Sequence, residues 1–416
     1  MFESSEAKTK TEGVLSGIRA IEWATFGNGP IIGVILGDLG AEVIKLEDRI
    51  AGDPSRGMSA FQGVGTKSPE GVHLVFEMSN RNKKSIRVDL KKEKGREIVY
   101  RLAGKSDVFY TNYRQSVAKR QGVDYETLSK HNPMLIYGRA SGLGPKGLEN
   151  EKRAFDPVGL ARSGLMSAAG ERESPPGQIV GAIVDTLGAT MTAFGIVGAL
   201  FARERFNIGQ EVDASLLGAG MWAQFSNISL AMLRGRAMAR HSRTRARNPL
   251  ANVYQCKDGE WLALAEPQSD RFWPQFCKAM GIESLEKNPR FSDEWKRTDN
   301  NKELIVILDK IFAEKTRAEW VDIFQKQGKQ FIAWERVQTV SDLIDDPQVI
   351  ANRYLVDFKH PVLGNIKVQP FPIGFGKAPV GPRSQAPEFG QHTEEVLLEI
   401  GYTWDDITRL QDEEVI

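Results

Sequence analysis

The stretch from Gly17 to Glu47 constrains this chain more than any other. GIRAIEWA (17 to 24) reads as a strand, FGNGP as a glycine-rich turn, PIIGVILGDLG as a short apolar helix and AEVIKLE (41 to 47) as a second strand. Two strands joined this way are parallel, because a helical crossover returns the chain to the same end of the sheet. SIRVDL, SDVFYTNY and PMLIYGRAS continue the pattern, separated by the charged helical stretches KKEKGREIVYRLAG and DYETLSKH. Strands alternating with helices predict an α/β fold with a mainly parallel sheet covered on both faces.

A length of 416 residues leaves room for more than one compact unit. GQEVDAS reads as a further strand entering the helix LLGAGMWAQFSNISLAMLRG, after which the basic, turn-rich GRAMARHSRTRARNP marks a change in composition. In NVYQCKDGEWLALAE a Lys-Asp-Gly turn between apolar runs predicts a β-hairpin and the start of a smaller α+β domain. The expected division is a large domain opening with residues 14–225, a linker over 226–249, a small domain over 250–340, an extended Pro- and Gly-rich return over 341–385, and closing helices over 386–416 that pack on the large domain. The first thirteen residues read as a polar leader with no signal-peptide pattern.

Lys and Arg total 55 against 54 for Asp and Glu, so no global attraction to nucleic acid or an anionic membrane is expected. Two cysteines, Cys256 and Cys277, predict neither a disulfide framework nor a zinc cluster and fit a reducing, cytoplasmic setting. The histidines 73, 131, 241, 360 and 392 show no HExxH spacing and no GxSxG occurs, which disfavours a metal site or an α/β-hydrolase. The apolar run 177 to 202 is long enough for a membrane span, but its five glycines and Asp185 suit a buried strand-turn-helix better.

Three features could carry chemistry. Gly27-Asn28-Gly29-Pro30-Ile31-Ile32-Gly33, with Glu47 ending the next strand, matches a Rossmann dinucleotide turn, although Pro30 removes one of the N–H donors that grip a pyrophosphate. Its other reading is a tight turn and close helix packing. Asp185, alone in GQIVGAIVDTLGATM, reads as the N-cap of the helix that follows, as a carboxylate held for nucleophilic attack, or as both, since capping N–H groups would favour its ionised form. The basic clusters Lys83-Lys84 with Arg87, Arg114 with Lys119 and Arg120, and Lys152-Arg153 are ordinary solvated faces or, gathered at the ends of strands, a phosphate site.

Taken in order, LSGIRAIEWATFGNGP, LGDLGAEVIKLED with GDPSRG, NRNKKSIRVDL, TNYRQSVAKRQGVDYETL, ASGLGPKG with RAFDPVGLARSG, GAIVDTLGA, DGEWLALA and APEFGQHTEEVLLEIGY closely resemble the class III coenzyme A transferases. That group includes formyl-coenzyme A and carnitine coenzyme A transferases. The resemblance implies a Rossmann-like large domain, a smaller α+β domain and an interlocked dimer, either a homodimer or a hetero-oligomer with a similar subunit. It puts the catalytic role on Asp185, which would take the acyl group of a CoA thioester as an anhydride and then hold CoA as a thioester, with no tightly bound cofactor. Asp156 would lie near the active centre, and Lys83, Asn112, Tyr113, Arg120 and Arg153 would contact CoA.

Two positions depart from the formyl-transferring members, which carry Gln where this chain has Gly27 and Arg where it has Asp48. The adenine contact is therefore expected from Arg49 or Arg56. Gly27 would leave room for a larger acyl group lined by Trp23, Phe26, Trp222 and Phe225, and the expected acceptor is a bulky aromatic or dicarboxylic acid, as in benzylsuccinate coenzyme A transferases. The related α-methylacyl-CoA racemases need a second base where this chain has Phe155, which cannot move a proton. An NAD(P)-dependent oxidoreductase and a catalytically silent CoA-binding subunit are two further readings of the same residues.

Overall fold

The computed structural model describes residues 13–416; the polar leader lies almost wholly outside them. The central sheet has six parallel strands: β1 (Arg19–Trp23), β2 (Glu42–Glu47), β3 (Lys83–Arg87), β4 (Val108–Thr111), β5 (Ile136–Ser141) and β6 (Gln210–Ser215). Their spatial order is β3-β2-β1-β4-β5-β6, so the winding reverses between β1 and β4. Loops leaving the carboxyl ends of those two strands diverge and open a crevice. The inner strands are buried along nearly their whole length, which is why they read as continuous apolar runs instead of alternating ones.

The helix Asn28–Asp38 lies almost wholly inside the protein, and its glycines explain how. A Cβ at Gly29 would stand 2.4 Å from that of Ala24, one at Gly33 would stand 2.3 Å from the Tyr110 hydroxyl, and one at Gly37 would stand 2.9 Å from Asn82 Cβ. The glycine-rich opening is thus a packing device. Glu47, the acid a dinucleotide ribose would need, is buried and accepts from Arg56, Ser85 Oγ (2.6 Å) and Asp53 N–H (3.0 Å).

The chain forms two compact units. One takes the described residues up to Ser167, with Gln178–Ala237 and Pro347–Ile416. In it the closing helices Thr393–Glu399 and Trp404–Asp412 add Val396, Leu397, Ile400, Ile407 and Leu410 to the core beneath β1 to β5. The other takes Ala168–Gly177 and Met238–Asp346. It has an antiparallel sheet of Val253–Gln255, Trp261–Leu264 and Trp334–Arg336, with helices around Trp273, Phe276, Phe312, Trp320 and Phe324.

The apolar run after β6 is helical as read, in two pieces, Leu216–Ala223 and Phe225–Arg234, and the second falls within the span expected as linker, with Phe225, Ile228 and Met232 at helical spacing. The return segment contains the antiparallel hairpin Val356–His360 with Gly364–Val368. The helix Ile183–Phe206 is long and apolar enough to cross a bilayer, yet Ala189, Ala193, Ile196 and Leu200 on one face pack into the core of the large unit.

Candidate active site

Asp185 does not cap its own helix. The N-cap position is Ala182, in a left-handed conformation (φ 53°) with no side-chain acceptor, and Asp185 sits in the first turn. The cap comes from elsewhere in sequence: Asp156, the first residue of helix Asp156–Ser163, accepts the backbone N–H groups of Val184 at 2.7 Å and Asp185 at 3.1 Å through Oδ1. This leaves the Asp185 carboxyl without a hydrogen bond or ion pair among the described residues. Its backbone carbonyl accepts from Asn28 Nδ2 at 2.8 Å, tying the start of its helix to the start of helix Asn28–Asp38. Burial, helped by the charge of Asp156, pushes the Asp185 carboxyl up to about 7.

Gly27 closes the other side. A Cβ there would lie 3.0 Å from Asp185 Oδ2, so the missing side chain is what keeps the carboxylate approachable. Its neighbour Phe26 has φ 64°, an unusual conformation for an aromatic residue. The loop is held in that shape from several directions. Asn112 accepts from Thr25 N–H (3.1 Å) and donates to Thr25 O (2.8 Å), Lys45 donates to Ala24 O (2.9 Å), and Phe26 N–H points to Asp53 Oδ1 (3.4 Å). The Phe26 ring stands edge-on to Phe155, with centroids 6.0 Å apart.

Phe26, Gly27, Phe155, Asp156 and Asp185 all line one cavity of about 1110 Å³. Most of the remaining wall is apolar: Ile31, Val34 and Ile35, then Met58 and Phe61, then Leu74 and Met78, and finally Phe358, Ile366, Val368 and Phe371 from the return segment. Trp222 and Phe225, expected on this wall, lie elsewhere: both are exposed and pack against each other at 5.3 Å.

Trp23 faces a second groove of about 140 Å³, which also takes Thr25, Leu46, Asp48, Asp53, Leu90, Lys91 and Tyr113. Trp23 and Tyr113 stack there with centroids 4.2 Å apart. Residues 23 to 27 therefore connect the two: Trp23, Ala24 and Thr25 line the groove, and Phe26 and Gly27 line the cavity.

Of the expected CoA contacts, three are already occupied within the protein. Lys83 is sealed in the interior, donating to Pro30 O (2.8 Å), Ser79 O (2.8 Å) and Asn80 Oδ1 (2.9 Å) and pairing with Glu22 (2.8 Å), so no phosphate can reach it in this arrangement. Burial lowers its ammonium to about 8. Asn112 has its amide committed to Thr25, and Arg56 is bidentate to Glu47 at 2.8 Å and lies 3.6 Å from the centre of the Phe76 ring. Arg49 is half-buried, 3.5 Å from Glu414, whereas Arg120 and Arg153 are exposed.

No local pattern warns of the charge cluster below the loop. Lys45 Nζ meets Glu22 at 2.7 Å and Asp53 at 2.8 Å with all three side chains out of solvent, and the Tyr110 hydroxyl donates to Glu22. Burial works against the Lys45 ammonium, but Glu22, Asp53 and Glu47 hold it above its ordinary value. Lys91 is a further residue that sequence reasoning misses; its position just past β3, at the carboxyl edge of the sheet, is the available signal.

Comparison with known proteins identifies the family. The model of CoA-transferase family III matches residues 15–393. The chain is 31% identical to the cinnamoyl-CoA:phenyllactate CoA-transferase of Clostridium sporogenes, over 97% of each protein. It is 30% identical to the (R)-2-hydroxy-4-methylpentanoate CoA-transferase of Clostridioides difficile, over 97% of this chain and 99% of the relative. Among solved structures, a CAIB/BAIF family protein from Brucella suis superposes with a TM-score of 0.83 at 27% identity, covering 94% of this chain and 100% of that one. The chain belongs to CoA-transferase family III and is a CoA-transferase acting on CoA thioesters.

Proposed function

We propose that Asp185 is the covalent carrier through which CoA passes from an acyl-CoA donor to a carboxylic acid. The ionised carboxylate attacks the thioester carbonyl, forming an acyl-aspartyl anhydride and releasing CoA thiolate. The thiolate then attacks the aspartyl carbonyl, giving an aspartyl-CoA thioester and the free donor acid. An acceptor carboxylate attacks that thioester, and the released thiolate takes the new acyl group from the anhydride, restoring Asp185. Each step exchanges a thioester and an anhydride, so the energy of the CoA bond is kept. Backbone N–H groups at the start of the helix carrying Asn28 are suited to hold the developing oxyanion, those of Val184 and Asp185 being taken by Asp156.

The observation that carries this reading is a carboxylate with raised basicity in the wall of a large cavity, with Gly27 facing Oδ2. CoA would run along residues 23 to 27, its nucleotide beside the Trp23–Tyr113 stack with Lys91 as a phosphate partner, Arg120 and Arg153 supplying further charge at the surface. Lys83, Asn112 and Arg56 act in this reading by holding the loop and its supports in place. The acceptor is a carboxylic acid with a bulky body; the two relatives named above act on phenyllactate and 2-hydroxy-4-methylpentanoate, acids of that kind.

Assembly with a second copy or a similar subunit is supported by exposed apolar side chains on one helix, Phe194, Phe201 and Phe206, and by the exposed Trp222 and Phe225. Two buried free cysteines suit a cytoplasmic enzyme. The test is intact-mass analysis after mixing with an acyl-CoA: an acyl or CoA adduct on Asp185, converted by hydroxylamine to an aspartyl hydroxamate and absent from Asp185→Ala, is expected. Full transfer activity in Asp185→Ala would overturn the proposal.

A further inference from the structure

The cavity beside Asp185 has a direction and a chemistry of its own. Gly27, Ile31, Val34 and Ile35 occur at i, i+4, i+7 and i+8, so a single face of helix Asn28–Asp38 forms a wall that leads away from the carboxylate. At 1.5 Å per residue that wall runs about 12 Å from Gly27 to Ile35. At about 1.2 Å per bond of extended chain, it would accompany roughly ten bonds of an acyl group. Phe358, Ile366 and Val368 of the return hairpin, with Phe371 beyond it, complete the lining.

Several polar groups on the wall beyond Asp156 and Asp185 are satisfied by the protein itself. Thr186 and Thr190 hydroxyls donate to the carbonyls of Ala182 (3.0 Å) and Thr186 (2.8 Å), and Ser79 Oγ donates to Val75 O (2.7 Å). Glu77 accepts from Ala386 N–H (2.9 Å), and Gln62 accepts from Gly181 N–H (3.1 Å). The Arg81 guanidinium, which a second carboxylate would seek, is bidentate to Asp38 at 3.0 and 2.6 Å and also donates to Gln369 O. Lys367 stands opposite Asp357 in the hairpin. A carboxylate carried to the far end of this cavity would be desolvated against carbon, with the Arg81 guanidinium already matched to Asp38.

We infer that the acyl room of this enzyme is built for a monocarboxylic acid with an extended apolar body, aryl or alkyl, and rejects acids bearing a second carboxylate. The inference rests on Asp185 being the acyl carrier, and it narrows the sequence-based expectation by removing its dicarboxylic half. Each buried methylene should raise kcat/KM about fourfold until the cavity is filled.

The test is a panel of butanoyl-, hexanoyl-, decanoyl-, 3-phenylpropanoyl-, succinyl- and glutaryl-CoA given to the wild-type protein, read both as kcat/KM and as adduct mass on Asp185. The expected result is a rise from butanoyl to decanoyl, good use of 3-phenylpropanoyl, and succinyl and glutaryl at least a hundredfold below hexanoyl. Ile366→Trp, which fills the far wall, should depress decanoyl use and spare butanoyl. Adducts on Asp185 that form equally well from succinyl- or glutaryl-CoA would overturn the inference and leave the carrier role standing. Absence of any Asp185 adduct across the panel, with turnover present, would overturn the carrier role and the inference with it.

Discussion

Asp156 Oδ1 accepts the backbone N–H of Asp185 at 3.1 Å, so one carboxylate holds the main chain of another and at the same time raises its basicity. The other oxygen of Asp156 is buried and has no hydrogen-bond partner among the described residues. A buried acid with one oxygen unsatisfied is costly, and retaining it beside a second carboxyl makes sense where the second must be a strong nucleophile near neutral pH.

The pH profile should follow from that pair. Only ionised Asp185 can attack, so kcat/KM should climb from acid pH and level off above an apparent value of about 7. Asp156→Asn keeps an oxygen for the two N–H groups but loses the like charge, so this limb should move to lower pH. The shift should be partial, because burial is the larger cause. An unmoved limb between pH 5 and 9 would refute the coupling.

Asp185 should also weigh on stability. Its folded-state value lies above the unfolded one, so the native protein binds the extra proton between about pH 4 and pH 7 and loses stability as pH rises through that window. At ~1.4 kcal/mol per pH unit the full displacement corresponds to about 4 kcal/mol. Water in the open cavity should cut this to about 1–2 kcal/mol. Asp185→Asn should therefore melt a few degrees higher than wild type at pH 8, with the gain vanishing near pH 4, as read by thermal denaturation at both values.

Gly27→Ala isolates the steric condition. Gly27 has φ −96°, which alanine adopts readily, so the fold should be untouched while the new methyl sits 3.0 Å from Asp185 Oδ2. Expected is a fall in kcat/KM of roughly ten- to a hundredfold, about 1.4–2.7 kcal/mol of transition-state stabilisation, with an unchanged melting temperature. Wild-type kinetics in this variant would show that the carboxylate is approached from another side.

Two lysines near the loop should part company. Lys83→Met removes a cation from a sealed cluster and leaves Glu22 short of a partner, which should cost about 3–5 kcal/mol of folding stability in urea titrations while the KM for acyl-CoA in the folded fraction stays constant. Lys91→Ala, at the groove beside Tyr113, should raise that KM several-fold with no loss of stability. The opposite pattern would restore Lys83 as a CoA ligand.

Much of the sheet is legible in the sequence because the inner strands are buried on both faces and appear as unbroken apolar runs flanked by charged helices. The role of NRNKK is not. Two adjacent lysines point to opposite faces of a strand, and which one turns inward depends on the register of β3 against β2, where Lys83 pairs with Val43. Lys83 goes inside, and Lys84 meets Glu42, Glu395 and Glu399 at the edge. The cap of the Asp185 helix is hidden for a similar reason: its acceptor, Asp156, stands 28 residues upstream of Val184, beyond any local pattern. Glu22 and Lys45 look anomalous within apolar strands, but only the strand order brings them together. Trp222 and Phe225 suggest an acyl wall by their size, which says nothing about the face they occupy.

The bond from Arg383 N–H to Asn82 Oδ1 joins residues 301 positions apart, and His392 and Thr393 complete the same edge at Ser85 and Arg87. A ribosome working at about 5–20 residues per second needs roughly 15 s or more to make that intervening stretch. Throughout the interval the β3 edge stays uncovered, while Met238–Asp346, emerging meanwhile, already has a core of its own. The nascent chain is therefore expected to hold an orphaned half-sheet on the way out, making this edge a natural client for a holdase chaperone and the point at which premature termination would yield insoluble product.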